Sequence, residues 1–233
     1  MYNFNIEKIL LQRALRNTRS FSPVDNYFKQ LEVIEDLYFE IEKNIESSKL
    51  IQQARKQLVI SLVSALEVYF KDSLMTAYDS GSFNDSYLVK RLQKRFLLKD
   101  IQDIIKNKIT IGEVLASIFT FSNLKAVNKI FSSLIGKNFF KELNEYQFEL
   151  KSQADEESDI PTINKTTMLN EDRRVYFNLK ELYSIRPFIT HDQPEKSSIS
   201  EFQVQYFISS AELFAIVIDN YLCSLMNNEI DTL

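Results

Sequence analysis

Helix breakers are scarce in this chain: three glycines and four prolines in 233 residues. A β-sandwich or barrel needs a turn every eight to twelve residues, usually built on those two residue types, so the scarcity points to long helices. The apolar pattern agrees. Tyr27, Leu31, Ile34, Tyr38, Ile41 and Ile45 recur at steps of four and three with acidic residues between them, and Ser22-Pro23 reads as an N-cap and first-turn proline. A second stripe, Ile51, Ala54, Leu58, Leu62, Ala65, Leu66, Tyr69 and Phe70, predicts a helix from about Lys49 to Tyr78, closed by Asp79-Ser-Gly-Ser. A third, Phe207, Ala211, Phe214, Ile218, Tyr221 and Leu225, predicts a helix from about Ile199 to Asn227.

Shorter pieces fill the rest. Residues 3–18 read as an amphipathic helix with Phe4, Ile9, Leu10 and Leu11, and with Arg13, Arg16 and Arg19 toward its end. Helices are expected over 85–96, 98–107, 111–120, 123–135 and 138–151, with Gly112 and Gly136 near ends, and a polar loop over 152–170. The reading is an all-α bundle in one domain, with 84–170 as a helical insertion and polar loop within it.

Charge and cysteine content narrow the function. A net charge of −4 disfavours a surface coated for duplex DNA, although a local basic groove remains compatible with it. One cysteine, Cys223, excludes an internal disulfide and a cysteine zinc cluster, and it reads as a core residue. No metal or other cofactor is expected. The residues after Met1 do not read as a signal peptide, and Ala211–Met226 reads as too short and too polar to span a bilayer, so a reducing cytoplasm is the expected compartment.

The chemistry concentrates near one helix end. Val175, Leu179 and Leu182 form an apolar stripe, and Arg186 takes its next place, where a charge is unusual. Pro187 follows and predicts a helix end or kink within about two residues. Five residues after Arg186 stands His191, the only histidine. In an unbroken helix the two would sit about 140° apart, and a break is one way to bring them together. A guanidinium can hold the non-bridging oxygens of a phosphate while an imidazole moves protons near neutral pH. Glu67, midway along an apolar helix, either orients Arg186 or His191 or lies on a solvated side. Lys90, Arg91, Lys94 and Arg95 share a helix face that either contacts phosphates or is simply solvated.

Three features together resemble the HEPN superfamily of all-α domains. They are the helix Leu58–Leu74, the Arg186-x4-His191 pair at a helix end, and the loop and long amphipathic helix that follow. The resemblance covers 50–80 and 172–228 and looks closest to bacterial HEPN proteins of defence and toxin systems. It implies a metal-independent ribonuclease, a homodimer that brings both copies of Arg186 and His191 to one groove, RNA as substrate (single-stranded), and an antitoxin or defence-system protein as a possible partner; it implies no membrane. Where the family's catalytic members usually carry a polar residue, often asparagine, this chain has Pro187 directly after the arginine. A non-catalytic HEPN-like module that dimerises, or that binds a partner protein or RNA, is therefore the second expectation.

Overall fold

A computed structural model describes residues 5–19, 22–83, 88, 98–151, 163–167, 173–192 and 198–228, with backbone only at 148–151, 163–167, 173, 191, 192 and 228. It is an all-α bundle. The helices are α1 (Ile6–Arg16), α2 (Pro23–Asn44), α3 (Ser48–Asp79), α4 (Leu98–Lys106), α5 (Ile111–Ile118), α6 (Leu124–Ile135), α7 (Phe139–Glu145), α8 (Arg173–Pro187) and α9 (Glu201–Asn228).

α3 is the axis of the fold, and α2, α5, α8 and α9 pack against it. From Leu58 on it is buried on most sides, with Leu58, Val59, Leu62, Val63, Leu66, Tyr69, Phe70 and Leu74 in the core. Phe70 lies within 5.5–6.3 Å of the rings of Phe121, Phe131 and Phe214, and Phe139 stacks on Phe131 at 4.8 Å. Residues of α5, α6 and α7 thus belong to the same core as α3 and α9. The stretch from 111 onward is woven into the bundle and is not an appendage to it. α1 uses a smaller cluster, in which Ile9 meets Ile109 and Val114; Leu11, expected on its apolar face, is exposed.

The caps explain several boundaries. The Ser22 hydroxyl accepts the Asp25 N–H at 3.2 Å, with Pro23 in the first turn. Thr110 and Glu113 form a reciprocal capping box at the start of α5. Gly136 ends α6 at φ 75°, a left-handed conformation that favours glycine.

Two expectations are corrected. The helix expected over 138–151 stops at Glu145, and Gln147–Lys151 instead pairs antiparallel with Ile163–Thr167. That second strand lies inside the stretch expected to be a loop. A two-residue period, Gln-Phe-Glu-Leu-Lys, takes over where the helical period ends. The helix around Ala211–Met226 has the length expected, but the reading of that stretch as too short and too polar to span a bilayer does not hold for the whole helix. From Glu201 to Asn227 it is long and apolar enough to cross a membrane, with a mean hydropathy of 1.3, and half of that window is buried in the bundle. The helix expected over 85–96 lies outside the described residues.

Candidate functional site: the end of α8

α8 runs antiparallel-fashion beside α9 and against α3, with Val175, Leu179, Leu182 and Tyr183 buried. Arg186 continues that stripe at the point where the core meets solvent. Its Nη1–H donates to Glu67 Oε1 of α3 at 2.6 Å, and the two side chains are 28% and 23% exposed. An arginine can occupy an apolar stripe here because α3 supplies a carboxylate opposite it. Glu67 is thus ion-paired with Arg186 and partly solvated. Among the described residues, Arg186 Nε and Nη2 make no hydrogen bond.

Pro187 is the last residue of α8, and Phe188–Asp192 continues as a π-helical turn. Proline has no N–H, so the α ladder cannot pass through it unchanged. A π turn, whose hydrogen bonds span five residues, carries the chain on. Thr190 pins the switch: its hydroxyl donates to the carbonyl oxygens of Arg186 at 3.1 Å and Pro187 at 3.3 Å. His191 is the fourth residue of the π turn; its side chain lies outside the described residues. Lys90, Arg91, Lys94 and Arg95 also lie outside them.

Sequence reasoning missed one residue of this site. Tyr183, one turn before Arg186, has its ring in the core and its hydroxyl buried, with no hydrogen-bond partner among the described residues. Burial, together with the Glu67 carboxylate, raises its pKa well above the ordinary tyrosine range; Arg186 opposes the rise. It stays a neutral phenol near the Glu67–Arg186 pair. A tyrosine three residues before an arginine on one helix was the available signal. Cys223, expected in the core, is half-buried with its Sγ 3.9 Å from Asp219 Oδ2, and burial raises the thiol's pKa.

No protein-family model, curated protein or solved structure matches the chain.

Proposed function

We propose that the chain is a metal-independent RNA endonuclease of HEPN type that acts as a homodimer. Arg186 and His191 of both copies would form one composite site. One imidazole takes the proton of a 2′-hydroxyl, the 2′-oxygen attacks the adjacent phosphorus, and the 5′-oxygen leaves with a proton from the second imidazole. The arginines hold the non-bridging oxygens as negative charge builds on them. Single-stranded RNA is the substrate class, because an unpaired strand can bend its phosphate into line for the internal attack. A reducing cytoplasm and an antitoxin or defence-system partner belong to the same proposal.

The observation that carries the reading is Arg186 itself. It is oriented by Glu67 through one nitrogen, keeps a second edge available, and sits directly before an α-to-π switch. Bonds spanning five residues turn position 191 back toward the side of position 186 more than an α-helix would.

Two observations favour a binding module without catalysis. Pro187 stands where a polar side chain would support the phosphate, and Glu67 already offsets the charge of Arg186. The deciding experiment incubates purified protein and its His191→Ala variant with mixed RNA in EDTA. We expect fragments with cyclic phosphate and 5′-hydroxyl ends from the wild type, and a rate lower by roughly 10² or more in the variant. Equal cleavage by both proteins, or none by either, rejects the enzyme and leaves the module.

A further inference from the structure

A second charged centre lies on another side of α3. Glu67 and Asp72 are five residues apart, about 140° around the helix axis, so Asp72 faces α1 and not α8. There a cleft of about 500 Å³ opens between the end of α1, the second half of α3 and the loop into α5. A smaller cavity of about 190 Å³ adjoins it and shares Arg16, Arg19 and Asp72. Arg13, Arg16, Arg19, Lys71 and Lys108 line the two, against Asp72, Asp79 and Glu113. The site is therefore cationic in a chain of net charge −4.

Most of these groups are already committed. Glu113, 6% exposed, takes Arg13 through Nε at 2.7 Å and through Nη2, and takes Arg16 Nη2 at 2.7 Å. The Arg13 Nη1 and Nη2 groups also donate to the carbonyl oxygens of Asn107 and Lys108. Asp79 accepts the Thr110 hydroxyl at 2.6 Å and the Gly112 N–H at 2.9 Å. Three groups keep spare hydrogen-bonding capacity among the described residues. Arg16 has two nitrogens that make no hydrogen bond among the described residues. Arg19 makes no side-chain hydrogen bond among the described residues; its Nη1 stands 3.7 Å from Asp72 Oδ2. Asp72, only 7% exposed, makes no hydrogen bond among the described residues, and its ion pair is the long one to that guanidinium.

A buried carboxylate without a hydrogen bond is unfavourable, and a ligand that donates to it recovers that loss. Two arginine forks with spare donors match the oxygens of a phosphate. The cleft has the volume of a small-molecule site. We propose that it binds a small phosphorylated ligand carrying paired N–H donors, the chemistry of a guanine nucleotide, with the phosphate on Arg16 and Arg19 and the N–H edge on Asp72. An ionised carboxylate accepts two parallel N–H bonds, which is what guanine's N1–H and 2-amino edge presents.

Isothermal titration with GMP, guanosine and inorganic phosphate tests this on wild type, Arg19→Ala, Asp72→Asn and Arg186→Ala. Arg19→Ala removes a long ion pair to Asp72, at 3.7 Å, so it should keep the wild-type circular dichroism spectrum with at most a small drop in melting temperature. We expect saturable GMP binding, with guanosine and phosphate each weaker. Arg19→Ala should weaken GMP and phosphate about tenfold or more, the scale of a lost charge-assisted hydrogen bond. Asp72→Asn should weaken GMP alone, and Arg186→Ala should leave GMP unchanged, which separates this cleft from the ribonuclease site. Absence of saturable GMP binding up to about 10 mM overturns the proposal. So does GMP binding that is no tighter than phosphate, that both cleft variants leave intact, or that disappears with Arg186.

Discussion

Glu113 and Asp72 are buried carboxylates that share Arg16 as a neighbour, and their pKa values move in opposite directions. Burial pushes Glu113 up, but the Arg13 hydrogen bonds, the Thr110 N–H and the charges of Arg13 and Arg16 outweigh it, and its pKa falls below 4.5. For Asp72 burial wins over Arg16, Arg19 and Lys71, and its pKa rises above 3.8. A lowered carboxylate contributes stability that is present above its unfolded value and lost as pH falls through its folded value. A raised one lowers stability as pH climbs from the unfolded value through the folded one. Urea midpoints should therefore fall as pH drops below 4.5 in the wild type, and this loss should shrink in Glu113→Gln. Asp72→Asn should be more stable than wild type at neutral pH, with the gain vanishing below 3.8. At the other site, Glu67→Gln should lower stability by about 1 kcal/mol or less, since the pair is partly solvated. If Glu67 orients the guanidinium, the same change should lower RNA cleavage far more than it lowers the melting point; equal retention of both would show Glu67 to be a passive partner. Arg186 and Glu67 could each be picked out in the sequence as charges set in apolar helices. The bond between them could not, because 119 residues separate the two. Asp72 gave no such sign, because its burial depends on α1 lying over it.

At the scale of elements, the decisive local event is the passage from α8 into the π turn at Pro187. Asparagine there would restore the N–H and permit the α ladder to continue. If the π turn is what carries His191 toward Arg186, Pro187→Asn should lower RNA cleavage while leaving the melting temperature equal or higher. Higher activity would instead mean that the proline replaces a missing polar side chain. The helices α2, α3 and α9 were legible in the sequence because each buries a continuous stripe, and a stripe is a local pattern. The Gln147–Lys151 strand was not, since its partner begins at Ile163 in a polar stretch and neither strand is stable without the other. Gly112 was legible only as a breaker. Its structural reason is Asp79, whose carboxylate would lie 2.6 Å from a Cβ at that position.

For the molecule as a whole, the question is what covers the α8–α9 pair. Gln203 donates to Glu181 at 2.8 Å and Asn178 to Ser210 at 2.9 Å, so the two helices are fixed side by side. Phe177 on α8, Phe188 at the start of the π turn, and Phe202 and Tyr206 one turn apart on α9 are all exposed. Exposed aromatics on neighbouring helices are a feature of association surfaces. Light scattering at micromolar concentration should give a dimer, and Phe202→Glu combined with Tyr206→Glu should give a folded monomer that no longer cleaves RNA. A wild-type monomer, with or without RNA, would remove the composite site. A different consequence follows from the Glu113 clamp. Arg13 and Glu113 are 100 residues apart. At a ribosomal pace of about 5–20 residues per second, α1 is synthesised roughly 5–20 s before the carboxylate that will hold it. During that interval Ile9 has neither Ile109 nor Val114 to bury it. The nascent chain thus exposes an arginine-rich amphipathic segment, free to meet anionic surfaces or chaperones before the finished fold closes over it.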